Sequence, residues 1–426
     1  MALYNKLIQI WKARDLRNNI LFVLAMLVIF RLAAHIPVPG VDTSALKDFF
    51  SSNQMYGMLN MFSGGSMENF SIVMMGIAPY ITSSIIFQLL GMIVPKLEEM
   101  QKEESGRAKI SMWTRWLTVP MALMQSFGMI TLLRNSQTGI LGDDVSAMKF
   151  VSILIIITTG TIFLMWIGEL ITEKKVGNGI SLLIFAGIIA GLPGSISQTM
   201  SAATSQQTVT LIGFVAIAIA TVVGVVIISE GQRNIPVQYA KQIRGGRVYG
   251  GTTSHLPLRV NMAGVIPIIF AISVVLFPPM IAQFFINAKT AWIASFASWT
   301  IDIFANQLIY GIMYFLLVFA FTFFYTEVIF HPDQIAENLQ KQGGFIPGIR
   351  PGRHTAEYLA NTTHKIILVG ALFLGLIAVL PLIMRYFTAI NSLAIGGTSL
   401  LIVVAVVIET VKQVEAQLSM REYEGM

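Results

Sequence analysis

Met58-Leu59-Asn60-Met61-Phe62-Ser63-Gly64-Gly65-Ser66-Met67 stands directly before a second apolar run, residues 72–94. The second run is long enough to cross the hydrocarbon core of a bilayer, which takes ~20 helical residues. The first is apolar but short, and Gly64-Gly65 separates it from the longer run. A half-helix of this kind leaves backbone groups unpaired at its end. Inside a membrane these are tolerated only against protein or a water-filled cavity. The stretch Met58–Met67 therefore predicts a short helical piece that dips into a wet cavity from one side. The spanning run carries Thr82, Ser83, Ser84 and Gln88 deep within it. Two readings stay open for these: hydrogen bonds between neighbouring helices, or one wall of a channel.

The rest of the chain fits a membrane setting. Of 426 residues, 55% are hydrophobic and 12% charged, where a soluble domain carries about 25% charge. There is no cysteine, so disulfides, a thiol nucleophile and thiolate metal sites are excluded. Ten segments read as spans: 19–36, 72–94, 113–133, 150–171, 179–198, 208–229, 262–286, 306–329, 365–384 and 390–412. The loops between them alternate in charge. One side holds clusters such as Lys96, Lys102, Arg107 and Lys109, then Arg233, Lys241, Arg244 and Arg247. The other holds only Lys47, Arg134, Lys149, Lys289 and Arg385. The positive-inside rule puts the basic side and both termini in the cytosol and the broken half-helix outside. Ten spans divide as five plus five, residues 1–203 and 204–426. The second five would enter the membrane in the opposite sense, the form of an inverted repeat with a site between halves.

Pro79 and Pro267 fall inside the second and seventh spans, where a proline removes a backbone hydrogen bond and kinks a helix. Gly187 and Gly191 have the spacing of close helix packing. Two basic-side loops, 230–261 and 330–364, are too long for simple connectors, and each predicts a projecting hairpin. The first carries Arg244-Gly245-Gly246-Arg247, a tight-turn signal. In the second, Pro347-Gly348 and Pro351-Gly352 hold Arg350 at a stiff tip, with Arg353 beside it. A solvated charged loop and a docking surface are both compatible with either one alone. Together they favour docking.

Chemical groups are sparse. Glu169, Glu230, Glu327 and Glu409 all fall near the basic ends of spans, so no span has an ionisable residue at its middle. That argues against an ion-coupled secondary transporter of small solutes, the competing class. No phosphate-binding loop, no nucleophile–base pair and no histidine cluster with metal spacing is present. The chain reads as no enzyme, without cofactor or metal. Ile81 and Ile85 are one helical turn apart, as are Ile180 and Ile184. Such pairs face lipid or neighbouring helices in most membrane proteins. They also serve to close a pore by dewetting it.

Six further stretches carry a resemblance. They are Pro37-Val38-Pro39-Gly40-Val41-Asp42, Gly76-Ile77-Ala78-Pro79-Tyr80-Ile81, Gly177-Asn178-Gly179-Ile180-Ser181, Leu256 through Pro267, Gly348-Ile349-Arg350-Pro351-Gly352, and Gly396 through Ile402. With ten spans in the same order, the whole chain resembles the bacterial SecY family, pore subunits of the Sec protein translocation channel. The resemblance implies an all-α polytopic fold, two pseudo-symmetric inverted halves of five helices around a central pore. Residues 58–70 would be the plug, with Phe62, Ser63, Gly64, Gly65 and Ser66 at its centre. The pore ring would be Ile81, Ile85, Ile180, Ile184, Ile269 and Ile402. A lateral gate between spans two and seven would include Ser84, Gln88, Gln125 and Pro267. Arg244, Arg247, Arg350 and Arg353 would dock a motor or ribosome. The function implied is passage of unfolded secretory polypeptides across the cytoplasmic (inner) membrane and sideways release of apolar segments. The implied partners are SecE and SecG subunits, the SecA ATPase, the ribosome, signal peptides and nascent chains, and anionic lipids. The loop 287–305 receives no role.

Overall fold

The structure, a computed structural model, describes residues 9–39, 46, 63, 65–135, 146–202, 208–239, 241–244, 247–250, 253–286, 290–388 and 396–424. The helices come in chain order: α1 (Arg14–Ala34), α2 (Ala78–Ile93), α3 (Pro95–Lys102), α4 (Glu104–Asn135), α5 (Ala147–Glu173), α6 (Gly179–Ala202) and α7 (Thr208–Glu230). Four strands come next, β1 (Gln232–Tyr239), β2 (Lys241–Arg244), β3 (Arg247–Gly250) and β4 (Thr253–Arg259). The remainder is α8 (Ile266–Phe285), α9 (Ala291–Ala305), α10 (Gln307–Ile329), α11 (Pro332–Lys341), β5 (Gly344–Phe345), α12 (Arg353–Thr388) and α13 (Gly396–Glu424). Every predicted span coincides with one of these helices. Among the described residues, six helices are long and apolar enough to cross a membrane, or seven if α2 and α3, bent by 112° at Val94, are one broken span. The fold is that of a polytopic helical membrane protein.

The helices pack as a closed circuit. In the first half of the chain α1 contacts α5 and α6, α2 contacts α4, α4 contacts α5, and α5 contacts α6. In the second half α7 contacts α13, α8 contacts α10, and α12 contacts α10 and α13. The principal contacts between the two groups occur at two seams. One has α8 against α2 and α4, and the other has α13 against α6. At the basic end, ion pairs tie neighbours together: Arg115 Nε to Glu169 Oε1 at 2.5 Å joins α4 to α5, and Lys412 Nζ to Glu230 Oε1 at 2.8 Å joins α13 to α7.

Several expectations need correction. The second span does not start as a helix at 72. Residues 65–70 and 72–77 are turns, and helix begins at Ala78. Ser63 and residues 65–70, the described part of the predicted half-helix, are also turns. Apolarity does not separate a buried turn from a buried helix, so the run alone placed the boundary too early. Pro79 and Pro267 kink nothing, because each lies in the first turn of its helix, where no N–H partner is lost. Prolines well inside helices include Pro120, Pro193, Pro278 and Pro279. A side chain added at Gly191 would meet open space, so that position does not need glycine for close helix packing.

The two basic loops also differ from expectation. The first is the predicted hairpin, with β1 against β4 and β2 against β3. The second forms no hairpin. It contributes α11 and the two-residue strand β5, which adds to the far edge of β1 at Gln238 and Tyr239. The result is one three-stranded sheet, order β4-β1-β5, shared by both loops. Ile235, Val237, Leu258, Ile346 and Leu359 fill a small core beneath it.

Candidate functional site: the apolar cavity and its isoleucines

A cavity lies where the first seam meets the turn segment. Its walls are Ile81 and Thr82 from α2, Gln125 and Met129 from α4, Ile184 from α6, and Ile269, Ile272 and Leu276 from α8. Ser63, Met67 and Met75 of the turn segment and Ser273 and Gln283 of α8 also line it, and none of the described lining residues is charged. Apart from Ser63, Thr82, Gln125, Ser273 and Gln283 the lining is apolar, and a mainly apolar surface is what a hydrophobic constriction needs.

The two helices facing each other across the seam begin in the same way. Gly76-Ile77-Ala78-Pro79 opens α2 and Gly264-Val265-Ile266-Pro267 opens α8. Each glycine has positive φ, +56° and +63°, the left-handed region where a side chain is strained. Each next residue has nearly the same helix-start geometry, φ −100°, ψ 0° at Ile77 and φ −94°, ψ −14° at Val265. Ile81 N–H closes α2 on Ile77 O at 3.1 Å, and in α8 both Ile268 and Ile269 N–H close on Val265 O, at 3.1 and 3.3 Å. The repeated Gly-x-x-Pro pattern therefore sets both Ile81 and Ile269 two residues past a proline, on the wall of the cavity. α6 is started differently: Asn178 Oδ1 accepts from the N–H groups of Ile180 and Ser181 at 3.0 and 3.2 Å, a side-chain cap.

Hydrogen bonds tie the turn segment to itself and to the end of α1. Val38 N–H donates to Phe70 O at 2.8 Å and Ile72 N–H to Ile36 O at 3.0 Å, a short bridge to the end of α1. Ser66 Oγ donates to Ser63 O at 2.7 Å. Phe70 is fully buried at positive φ, 43°, a strained position for an aromatic residue. Its surroundings are rich in methionine, with Met67, Met74, Met75 and Met129 all buried in one cluster.

A sequence model of the SecY family matches residues 71–411. The chain belongs to the SecY family. It is 43% identical over 434 residues to the protein translocase subunit SecY of Halalkalibacterium halodurans, covering 99% of each chain. It is 44% identical to the Streptomyces griseus protein of the same description, over 97% of this chain and 98% of that one. Among solved structures it is similar to one described as a protein conducting channel, with TM-score 0.60 and 17% identity over 93% of this chain and 91% of that one. It is also similar to Sec61 in a canine ribosome–channel complex, TM-score 0.58, with the same identity and coverage. These likenesses concern the fold.

The residues singled out by the SecY resemblance fall on several elements. Ile81, Ile85, Ile184, Ile269 and Ile402 are buried members of one apolar cluster, and half-buried Ile180 packs against it. Ile81, Ile184 and Ile269 reach the cavity wall. Of the plug residues, Ser63 and Ser66 are buried and Gly65 is half-buried with φ +77°. Phe62 and Gly64 lie outside the described residues. Gln125 Nε2 donates to Thr82 Oγ1 at 3.3 Å, joining α4 to α2. Gln88 Nε2 turns back to Ser84 Oγ at 3.1 Å on its own helix, and Thr82 and Ser83 donate to carbonyls of their own first turn. Among the polar residues of the second span, the bond to another helix is thus made at Thr82. Arg350 is exposed on a turn in which Ile349 N–H bonds Ile346 O at 3.0 Å, with Pro347 and Gly348 (φ +82°) at its centre, a type II geometry. Arg353 is exposed and pairs with Glu357 at 3.1 Å. Arg244 and Arg247 face each other in the β2–β3 register. The pairing of β5 with β1 was missed from sequence, since a two-residue strand has no periodicity to read. The repeated Gly-x-x-Pro was a signal that could have marked both helix starts.

Proposed function

We infer that the chain is a protein-conducting channel subunit that passes unfolded polypeptides through its centre. The observation that carries this is the uncharged cavity, walled by isoleucines from three helices and covered by a turn segment, in a chain of the SecY family. Residues 1–203 and 204–426 act as two inverted halves, a reading supported by the two seams and the repeated start of α2 and α8. Ile81, Ile85, Ile180, Ile184, Ile269 and Ile402 form the seal around the passing chain. The segment around Ser63–Ser66 covers it. The seam between α2 and α8, with Ser84, Gln88, Gln125 and Pro267, is the side exit for apolar segments. The sheet and the Arg350 turn form the docking face, in the cytosol with both termini, and the membrane is the cytoplasmic one. SecE and SecG are the companion subunits, and SecA or a ribosome supplies the drive. A nascent chain with its signal peptide is the substrate, and anionic lipids surround the basic end.

The test is reconstitution in vesicles with the companion subunits and the motor, following a secreted precursor into protease protection. Precursor uptake that depends on ATP supports the channel. A solute-dependent ion flux without precursor uptake would instead support a small-solute transporter. Topology is tested by Ser254→Cys on exposed β4 in a chain without native cysteine. A membrane-impermeant maleimide should label it only from the cytosolic face.

A further inference from the structure

Helix α9, in the connection between α8 and α10, divides into three faces. At 3.6 residues per turn, Ile293, Ala297 and Phe304 fall within about 40° of arc. Ala297 is buried and its two neighbours half-buried, so this face meets the bundle, where α9 contacts α8 and α10. Trp292, Phe296, Trp299 and Ile303 share a second arc of about 60°, centred roughly 120° away. The three aromatic side chains there are 70%, 60% and 58% exposed, and Phe296 and Trp299 lie 5.7 Å apart. Ser295, Ser298 and Asp302 share a third arc of about 60°. They are exposed, and Asp302 is the only charged residue of the helix.

A helix on a water-soluble surface needs two faces, one for protein and one for water. The third face here is a cluster of large aromatic residues, which marks an interaction surface. Its position selects lipid as the occupant. The backbone N–H of Asn306 closes α9 on Asp302 O at 3.2 Å, while its Oδ1 accepts from Leu308 N–H at 3.0 Å to cap α10. One residue thus joins α9 to a membrane span, at the end away from the sheet. The exposed apolar side of that span continues from the junction with Leu308 and Ile312. Fifteen helical residues reach only about 22 Å, too short to cross. Tryptophan on a short helix at this depth matches the headgroup boundary, where its ring is half in hydrocarbon.

We propose that α9 lies in the plane of the membrane surface, along the line where protein, lipid and water meet. Trp292, Phe296 and Trp299 enter the headgroup–acyl boundary, and Ser295, Ser298 and Asp302 face water. The helix anchors the far end of α8, one side of the seam, to the bilayer. The choice of the outer leaflet rests on the charge asymmetry of the loops and the cytosolic termini proposed from it; the insertion rests on α9 itself.

The experiment uses the full chain in phosphatidylcholine–phosphatidylglycerol vesicles, with Trp11, Trp113, Trp116 and Trp166 replaced by Phe so that emission comes from Trp292 and Trp299. Lipids brominated near the carbonyl end of the acyl chain should lower that emission about twofold, and aqueous iodide should change it little. Quenching by iodide and not by bromolipid would overturn the proposal in favour of a solvated face. Quenching by neither would overturn it in favour of a protein cover. Ser298→Cys should react with impermeant maleimide from the face opposite that of Ser254→Cys. Reaction from the same face would overturn the topology, while bromolipid quenching would still hold α9 at a membrane surface.

Discussion

Two apolar clusters border the same cavity and present different side chains to it. One is built mainly on regular helices and presents isoleucine at Ile81, Ile184 and Ile269. The other surrounds the turn segment and presents Met67, Met75 and Met129. Isoleucine is stiff at χ1 and gives a wall of fixed shape. Methionine is unbranched and refills gaps when its neighbours shift. A seal needs the first property. The segment proposed as the cover, near Ser66 and Phe70, sits among side chains with the second.

The largest effect should come from the stiff cluster. Asn at all six of Ile81, Ile85, Ile180, Ile184, Ile269 and Ile402 should raise the resting ion leak about tenfold or more, read as planar-bilayer conductance. Met67, Met75 and Met129 changed together to Leu should leave the leak nearly unchanged. Equal leaks from both sets would erase the distinction.

Stability offers the next contrast. Ile402 and Met74 are both wholly buried. Ile402→Ala should cost about 2–5 kcal/mol through the cavity it leaves. Met74→Leu keeps volume and should cost less than about 1.5 kcal/mol. Unfolding in detergent measures both, and a larger loss at Met74 would show the turn segment to be the rigid one.

Smaller still are the helix starts. Gly76→Ala and Gly264→Ala each force a side chain into the left-handed region at about 1–2 kcal/mol. The two losses, measured by the same unfolding, should match. A loss at one alone would break the equivalence of α2 and α8.

The smallest stability change should be at the docking face. Exposed Arg350 contributes about 0–1 kcal/mol to folding. Arg350→Glu should therefore leave membrane level and assembly intact while stopping motor-driven transport. Arg350→Lys should transport in part, since an ammonium cannot copy the paired hydrogen bonds of a guanidinium. Normal transport by the Glu variant would remove Arg350 from the mechanism, and loss of the protein from the membrane would give it a structural role.

Helix positions were legible because apolar length is a local property: about twenty consecutive apolar residues state their own solvent. The Arg244-Gly245-Gly246-Arg247 hairpin was legible for a similar reason, because a tight turn is written within a few residues. Membership of the family was legible in short stretches such as Gly177-Asn178-Gly179-Ile180-Ser181. The start of α2 was not, since a buried turn and a buried helix are equally apolar, and only packing against α1 and α5 selects one. The sheet shared by β1 and β5 joins segments distant in the chain, and a strand of two residues becomes a strand only when a partner edge is present. The isoleucines proposed as a ring differ from the many other branched residues only by direction. That Ile81, Ile184 and Ile269 share one cavity was decided by where α2, α6 and α8 meet, because a side chain's neighbours across a cavity come from distant parts of the chain.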